Sequence, residues 1–253
     1  MNIRFDNKVV LVTGGSSGIG KSTALEFSRS GAIVAVNYHT REKEANDIVK
    51  EIQNSGGKAL AVKADVTVKG EIVKMVSEVI KEFGRIDVLI NNAGSLINRA
   101  GIEEMDEDLL DKVIDLNLKS LFMVTQAVLP VMRKQESGKI INISSIAGRI
   151  GGTPRAGHYA AAKGAVIALT KNMAKEFAPL GILVNAVAPG VIDTPFHDGV
   201  NTPEARAKFR DLIPLKRDGR PEEVAWPIVF LASEYASFIT GETLEINGGQ
   251  LMD

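Results

Sequence analysis

The chain contains no cysteine, which excludes disulfides, thiolate zinc sites and cysteine nucleophiles together. A chain without disulfides suits a reducing compartment, and a cytoplasmic location is the expectation. Histidine is scarce: His39, His158 and His197 are too scattered to form a metal site, so no metal is assigned. No apolar run approaches the roughly 20 residues that span a bilayer, and residues 1–8 lack a basic region followed by an apolar core. Neither membrane insertion nor export is expected. Net charge is small, −1 with a pI near 6.4, and the basic residues are dispersed. No electrostatic footprint for nucleic acid is present.

What is present is a well-filled chain: 253 residues, 45% hydrophobic and 24% charged, enough for one large domain across residues 1–253. Short apolar runs at 8–13, 33–37, 59–63, 86–90, 139–143, 182–188 and 243–246 read as strands. Amphipathic segments at 19–30, 41–55, 68–83, about 106–134, 159–178 and 221–232 read as helices between them. The strands are continuously apolar rather than alternating, so both faces should be covered. The expected fold is therefore α/β: a doubly wound, Rossmann-type, seven-stranded parallel sheet with helices on both faces. No internal repeat is visible. Residues 190–214 are rich in Pro, Gly and polar residues and read as a substrate lid, with room for a short helix at 203–212.

In doubly wound sheets ligands bind beyond the carboxyl ends of the strands. The chemically suggestive segments lie at such ends: Gly14 to Gly20, Asp65, Asn91 to Gly94, Ser144 and Ser145, Pro189 and Gly190. The first, Thr13-Gly14-Gly15-Ser16-Ser17-Gly18-Ile19-Gly20, places glycines where a backbone must bend and admit a pyrophosphate to the positive end of a helix. Its spacing departs from G-x-G-x-x-G. Further on, Tyr159 and Lys163 are four apart and share one helix face. An ammonium within about 4–6 Å lowers a phenol's pKa from about 10, which would make the pair an acid–base candidate. A packed ring beside a snorkelling amine explains the pair taken alone.

With Thr13-Gly14-x-x-x-Gly18-Ile19-Gly20, Asn91-Asn92-Ala93-Gly94, Ser145, Tyr159-x-x-x-Lys163 and Pro189-Gly190 in this order, the chain resembles the short-chain dehydrogenase/reductase family over essentially its whole length. Among its branches it is most similar to 3-oxoacyl-acyl-carrier-protein reductases and bacterial sugar dehydrogenases. The resemblance implies that Tyr159 is the general acid/base and that Lys163 depresses its pKa and orients the nicotinamide ribose. Ser145 would steady the substrate oxygen, and Asn117 would hold a helix irregularity and a water of the proton relay. Ser145 is preferred to Ser144 because it stands three residues before Gly148, as in the family's serine segment. The fourteen residues from Ser145 to Tyr159 are one more than in common relatives, so the loop through Arg149 and Thr153 should be reshaped.

For the dinucleotide, the resemblance implies Gly14, Ser16, Ser17, Gly18 and Ile19 at the glycine turn and Tyr38, His39 and Arg41 after the second strand. It adds Asp65 and Val66 at the adenine, Asn92, Ala93 and Gly94 beside the adenosine, and Pro189, Gly190, Ile192 and Thr194 facing the nicotinamide. NAD-preferring members place Asp or Glu where this chain has Tyr38, and Glu42 belongs to the first turn of the next helix. The expectation is NADP preferred, NAD tolerated, with His39 and Arg41 as partners for the 2′-phosphate.

The implied activity is hydride transfer between a nicotinamide and a carbonyl or secondary alcohol. Reduction of a 3-oxoacyl thioester comes first, and sugar or polyol oxidation, as by a glucose 1-dehydrogenase, second. A dinucleotide-binding regulator is the reading from a different class. The intact set of Asn117, Ser145, Tyr159 and Lys163 argues against it, since a sensor has no need of them. Leu96, Ile97, Ile150, Phe196 and Phe209 suggest an apolar substrate wall, while Arg99, Arg149 and Arg155 could meet an anionic group. Arg133, Lys134 and Lys175 could receive an acidic carrier protein, although solvated helix ends explain them equally. By the family's habit of pairing its long helices, the chain is expected to form a homotetramer.

Overall fold

In the computed structural model, residues 2–197, 206 and 210–252 are described. Seven strands alternate with helices: β1 Val9–Val12, α1 Gly18–Arg29, β2 Ile33–Tyr38, α2 Glu42–Asn54, β3 Lys58–Lys63, α3 Lys69–Phe83 and β4 Val88–Asn91. Then come α4 Glu107–Ile114, α5 Ser120–Gln135, β5 Gly138–Ile143, the single turn α6 Ala147–Ile150, α7 Gly157–Phe177, β6 Ile182–Pro189, α8 Pro221–Ala232 and β7 Thr243–Ile246. The strands form one sheet in the order β3-β2-β1-β4-β5-β6-β7. Every neighbouring pair is parallel.

Strand β1 shows why the sheet is closed on both sides: all four residues are buried, and successive side chains point to opposite faces. Val10 and Val12 join Phe27, Ile48 and Ile228 in one core layer. Val9 and Leu11 join Met75, Val128 and Val166 in the other. Each large aliphatic side chain so buried contributes about 1.5–3 kcal/mol. The chain winds from β1 outward to β3 on one side, then returns to β4 on the other. That reversal opens a crevice at the carboxyl ends of β1 and β4.

The segment expected as one helix over 106–134 is one rod with a defect. Between α4 and α5 lies a π-helical turn, Asp115–Lys119, with Asn117 buried inside it. The Asn117 side chain donates to the Val113 carbonyl four residues back at 2.9 Å. Such insertions of one residue into a helix often sit at functional sites. Of the expected lid, residues 198–205 and 207–209 lie outside the described residues, and with them Phe209 and most of the short helix anticipated at 203–212.

Candidate active site

The crevice has a volume of about 600 Å3, within the range of small-molecule sites. Its floor at one end is the turn between β1 and α1. Gly14 and Gly18 have φ of 59° and 52°, the left-handed region that side chains disfavour. A Cβ on Gly14 would also stand 3.0 Å from the Ala93 Cα. The close approach is stitched from both sides: Thr13 Oγ1 accepts from the Asn92 and Ala93 amides at 2.9 and 3.1 Å. Asn92 Nδ2 donates to the carbonyls of Thr13 and Gly14 at 2.9 and 3.0 Å. Ser17 caps α1 by position without a capping side-chain hydrogen bond, so the first-turn amides remain available to an anion. Ser16, Ser17, Gly18 and Ile19 all line the crevice there.

One residue that holds this turn escaped the sequence reading. Asn37, near the end of β2 and buried, accepts from the Gly14 amide at 3.1 Å and donates to the Ala64 and Val62 carbonyls at 3.1 and 3.3 Å. It ties β1, β2 and β3 together directly beneath the glycines. The available signal was a buried-strand register carrying an amide among valines.

After β2 the crevice is lined by His39, Thr40 and Arg41. Tyr38 does not line it; its side chain is packed in the core with Val36 and Ile48. Asp65 and Val66 also stand back from the lining. Asp65 caps the following turn, accepting from the Thr67 amide and hydroxyl at 2.8 and 2.7 Å, and faces His39 Nε2 at 3.7 Å. Val66 is buried against Met75 and Val76. The direction in which a residue leaves a strand end decides these three positions, and packing against α2 and α3 turns them inward or sideways.

The centre of the site is built by β4, β5 and α7. Lys163 is buried and donates to the Ile143 carbonyl at 2.8 Å, with its amine 5.7 Å from the centre of the Tyr159 ring. Ser144 is occupied by structure, donating to the Lys163 carbonyl at 2.8 Å. Ser145 accepts from the Ala147 amide at 3.1 Å, and its hydroxyl stands near enough to the Tyr159 phenol to favour the phenolate. Asn117 spans from the π turn to the loop after β4, accepting from the Ser95 amide at 3.1 Å and donating to the Ser95 carbonyl at 2.7 Å. Gly94 is enclosed by the two: a Cβ there would stand 2.7 Å from Asn117 Oδ1 and 3.1 Å from Lys163 Nζ.

The electrostatics of the pair differ from the sequence expectation. Burial pushes the Tyr159 phenol up to about 12, with the Ser145 hydroxyl opposing it. Burial likewise pushes Lys163 down to about 8. Desolvation of each charged form is the dominant cause at both residues. The expected depression of the tyrosine by the lysine is therefore reversed in the protein alone.

Beyond β6, the Pro189 carbonyl accepts from the Ile146 amide and the Gly190 amide donates to the Ile246 carbonyl, both at 2.9 Å. Thr194 packs against Gly18, closing the crevice over the glycine turn. Ile192 is buried and forms a parallel bridge with Gly219. Leu96, Ile97, Ile150 and Phe196 line the crevice, with Phe196 5.7 Å from Tyr159 between ring centres. The three candidate arginines separate. Arg149 pairs with Glu245 at 2.9 Å, Arg155 pairs with Glu104, and Arg99 lines the crevice. Arg133, Lys134 and Lys175 are exposed in the last turns of α5 and α7. Those turns precede β5 and β6, so they lie at the edge of the sheet opposite the crevice.

Among the described residues, no group of three His, Asp or Glu side chains could hold a metal. No described helix is long and apolar enough to cross a membrane.

Residues 14–250 match the family described as Enoyl-(Acyl carrier protein) reductase. The chain belongs to the short-chain dehydrogenase/reductase family. It is 46% identical over 248 residues to the 3-oxoacyl-[acyl-carrier-protein] reductase FabG of Thermotoga maritima, covering 98% of this chain and 99% of that one. The corresponding reductase of a Synechocystis species is 46% identical over 250 residues, covering 97% of each. Among solved structures, an NADH-dependent reductase A1-R′ responsible for alginate metabolism superposes with a TM-score of 0.90, at 36% identity and 98% coverage of both chains. As a short-chain dehydrogenase/reductase, the protein is a nicotinamide-dependent oxidoreductase. Its crevice fits such a dinucleotide: glycines that a Cβ would obstruct, the open first turn of α1, and described lining residues that include no Asp or Glu.

Proposed function

We propose that the protein is an NADP-preferring 3-oxoacyl-thioester reductase, working as a cytoplasmic homotetramer. The observation that carries this reading is one crevice joining a glycine-turn cradle to the cluster of Ser145, Tyr159, Lys163 and Asn117. Gly14, Ser16, Ser17, Gly18, Ile19, Asn92, Ala93, Gly94, Pro189, Gly190, Ile192 and Thr194 would hold the dinucleotide, which supplies the hydride when bound. Ser145 and Tyr159 together bind the carbonyl oxygen. A phenol held near 12 keeps its proton at neutral pH, so Tyr159 is stocked as an acid, and it releases that proton as negative charge develops on the oxygen. Lys163, held near 8, remains mostly charged at pH 7 and can return a proton to the site. Asn117 keeps the Gly94–Ser95 backbone in place beside it.

The NADP preference rests on what stands after β2. No Asp or Glu lines the crevice there among the described residues, and Arg41 does; a 2′-phosphate would meet a cation and no repelling carboxylate. His39 already faces Asp65, which leaves Arg41 as the principal phosphate partner. The names of the T. maritima and Synechocystis relatives favour the acyl-thioester substrate over a sugar. A panel of acetoacetyl thioester, glucose and small ketones, followed by nicotinamide absorbance, tests the reading. Preferred turnover of the thioester with NADPH is expected, and turnover of the sugar alone would overturn it.

A further inference from the structure

Residues 95–100, on the loop after β4, form one wall of the crevice: Ser95, Leu96, Ile97 and Arg99 line it. The loop is pinned at both ends. At its start Asn117 holds Ser95, accepting from its amide at 3.1 Å and donating to its carbonyl at 2.7 Å. At its end the Ala100 amide donates to the Arg155 carbonyl at 3.1 Å. Between the two, Ile97 has φ of 63°, an unusual conformation for a β-branched residue, and its amide donates to Ser95 Oγ at 3.0 Å. A backbone bent in this way persists only where its surroundings hold it. His158 Nε2 supplies such a hold in the middle of the loop, hydrogen-bonding the Asn98 carbonyl at 3.0 Å. Arg99 adds contacts with Thr153 Oγ1 at 2.8 Å and the Pro154 carbonyl at 3.3 Å.

His158 stands in the first turn of α7, immediately before Tyr159, and is buried. It is not itself among the residues that line the crevice. A carbonyl oxygen only accepts, so the ring proton sits on Nε2. That leaves Nδ1 as a buried acceptor, and no donor among the described residues reaches it. An orphaned acceptor costs free energy. An apolar ring would fill the same space without that cost. What the imidazole adds is the bond to Asn98, which ties the crevice wall to the helix turn that carries the proton donor.

Resting on the proposed reductase activity, we infer that His158 is a positioning residue: through the Asn98 carbonyl it fixes the wall at Leu96 and Ile97 against Tyr159, and so shapes the part of the crevice that receives the thioester substrate. The dinucleotide cradle from Gly14 to Ile19 belongs to the turn between β1 and α1 and does not pass through this contact. Loss of the bond should therefore weaken substrate binding in the ground and transition states alike, which raises KM and leaves kcat in place.

The test compares wild type, His158→Gln, His158→Asn and His158→Phe as full-length enzymes. The amide nitrogen of Gln reaches the place of Nε2, whereas that of Asn reaches only the place of Nδ1. Steady-state reduction of acetoacetyl-coenzyme A at saturating NADPH gives kcat and KM, and fluorescence titration gives the NADPH Kd. His158→Asn and His158→Phe are expected to raise KM for the thioester about tenfold, with kcat and the NADPH Kd within about threefold of wild type. His158→Gln should restore KM to within about threefold. If His158→Phe does not fold, the Gln and Asn variants decide the matter between them. Equal behaviour of Gln and Asn, a fall in kcat at unchanged KM, or a parallel loss of NADPH affinity would each overturn the inference while the reductase reading stands. Wild-type enzyme that does not reduce the thioester would overturn the reading and the inference with it.

Discussion

Lys163 donates its amine to the Ile143 carbonyl at 2.8 Å while standing 5.7 Å from the centre of the Tyr159 ring. One buried cation is thus committed to backbone and poised beside the phenol. The cost of keeping it charged there gives a stability prediction. Lys163 is shifted from 10.5 to about 8 by burial, so the unfolded chain holds this proton more tightly than the folded one. Stability should therefore rise with pH from about 8 toward 10.5, by at most about 3 kcal/mol. Tyr159, shifted the other way, acts only above pH 10. Urea unfolding of wild type and Lys163→Met between pH 7 and 9.5 should show this rise in wild type and its loss in the variant. Equal slopes would mean that Lys163 is not desolvated.

Gly94→Ala inserts a methyl 2.7 Å from Asn117 Oδ1 and 3.1 Å from Lys163 Nζ. Both polar groups are buried and bonded, so neither moves freely. The expected outcome is a tenfold or greater fall in kcat/KM and a stability loss of about 1–3 kcal/mol. Circular dichroism would verify that the fold survives; unchanged kinetics would show that Asn117 and Lys163 do not depend on this contact.

The positions of the strands were legible because parallel strands buried on both faces are largely apolar along their length, as Val9 to Val12 and Val34 to Val36 are. The crevice was legible because turns that bring backbones together need glycine at positions such as Gly14. Directions and long-range partners were not. Tyr38 sits one residue before the crevice and points into the core, while Arg149 and Arg155 find carboxylates 96 and 51 residues away. The π turn was hidden from periodicity, since Asp115 to Lys119 continues the helical pattern, and the family resemblance alone pointed to an irregularity at Asn117.

Cofactor choice turns on Arg41, the crevice-lining cation after β2. Wild type should prefer NADP over NAD in kcat/KM, and Arg41→Ala should lose most of that preference by raising KM for NADP. A wild-type preference for NAD beyond tenfold, or about 1.4 kcal/mol, would contradict the assignment.

Large apolar side chains remain on the surface of the isolated chain: Phe122 on α5, Trp226 on α8, and Phe238 and Leu244 around β7. Covering them by symmetric association is the expected resolution. Light scattering at micromolar concentration should give four times the 27.1 kDa chain mass; a monomeric mass would contradict the homotetramer.

The most direct test of the account is the steady-state reduction of acetoacetyl thioester by NADPH in wild type and in Tyr159→Phe, which keeps the ring against Phe196 and removes only the proton donor. The predicted result is a loss in kcat of about 10²-fold or more with the fold intact. Near-normal turnover by a folded Tyr159→Phe enzyme would contradict it.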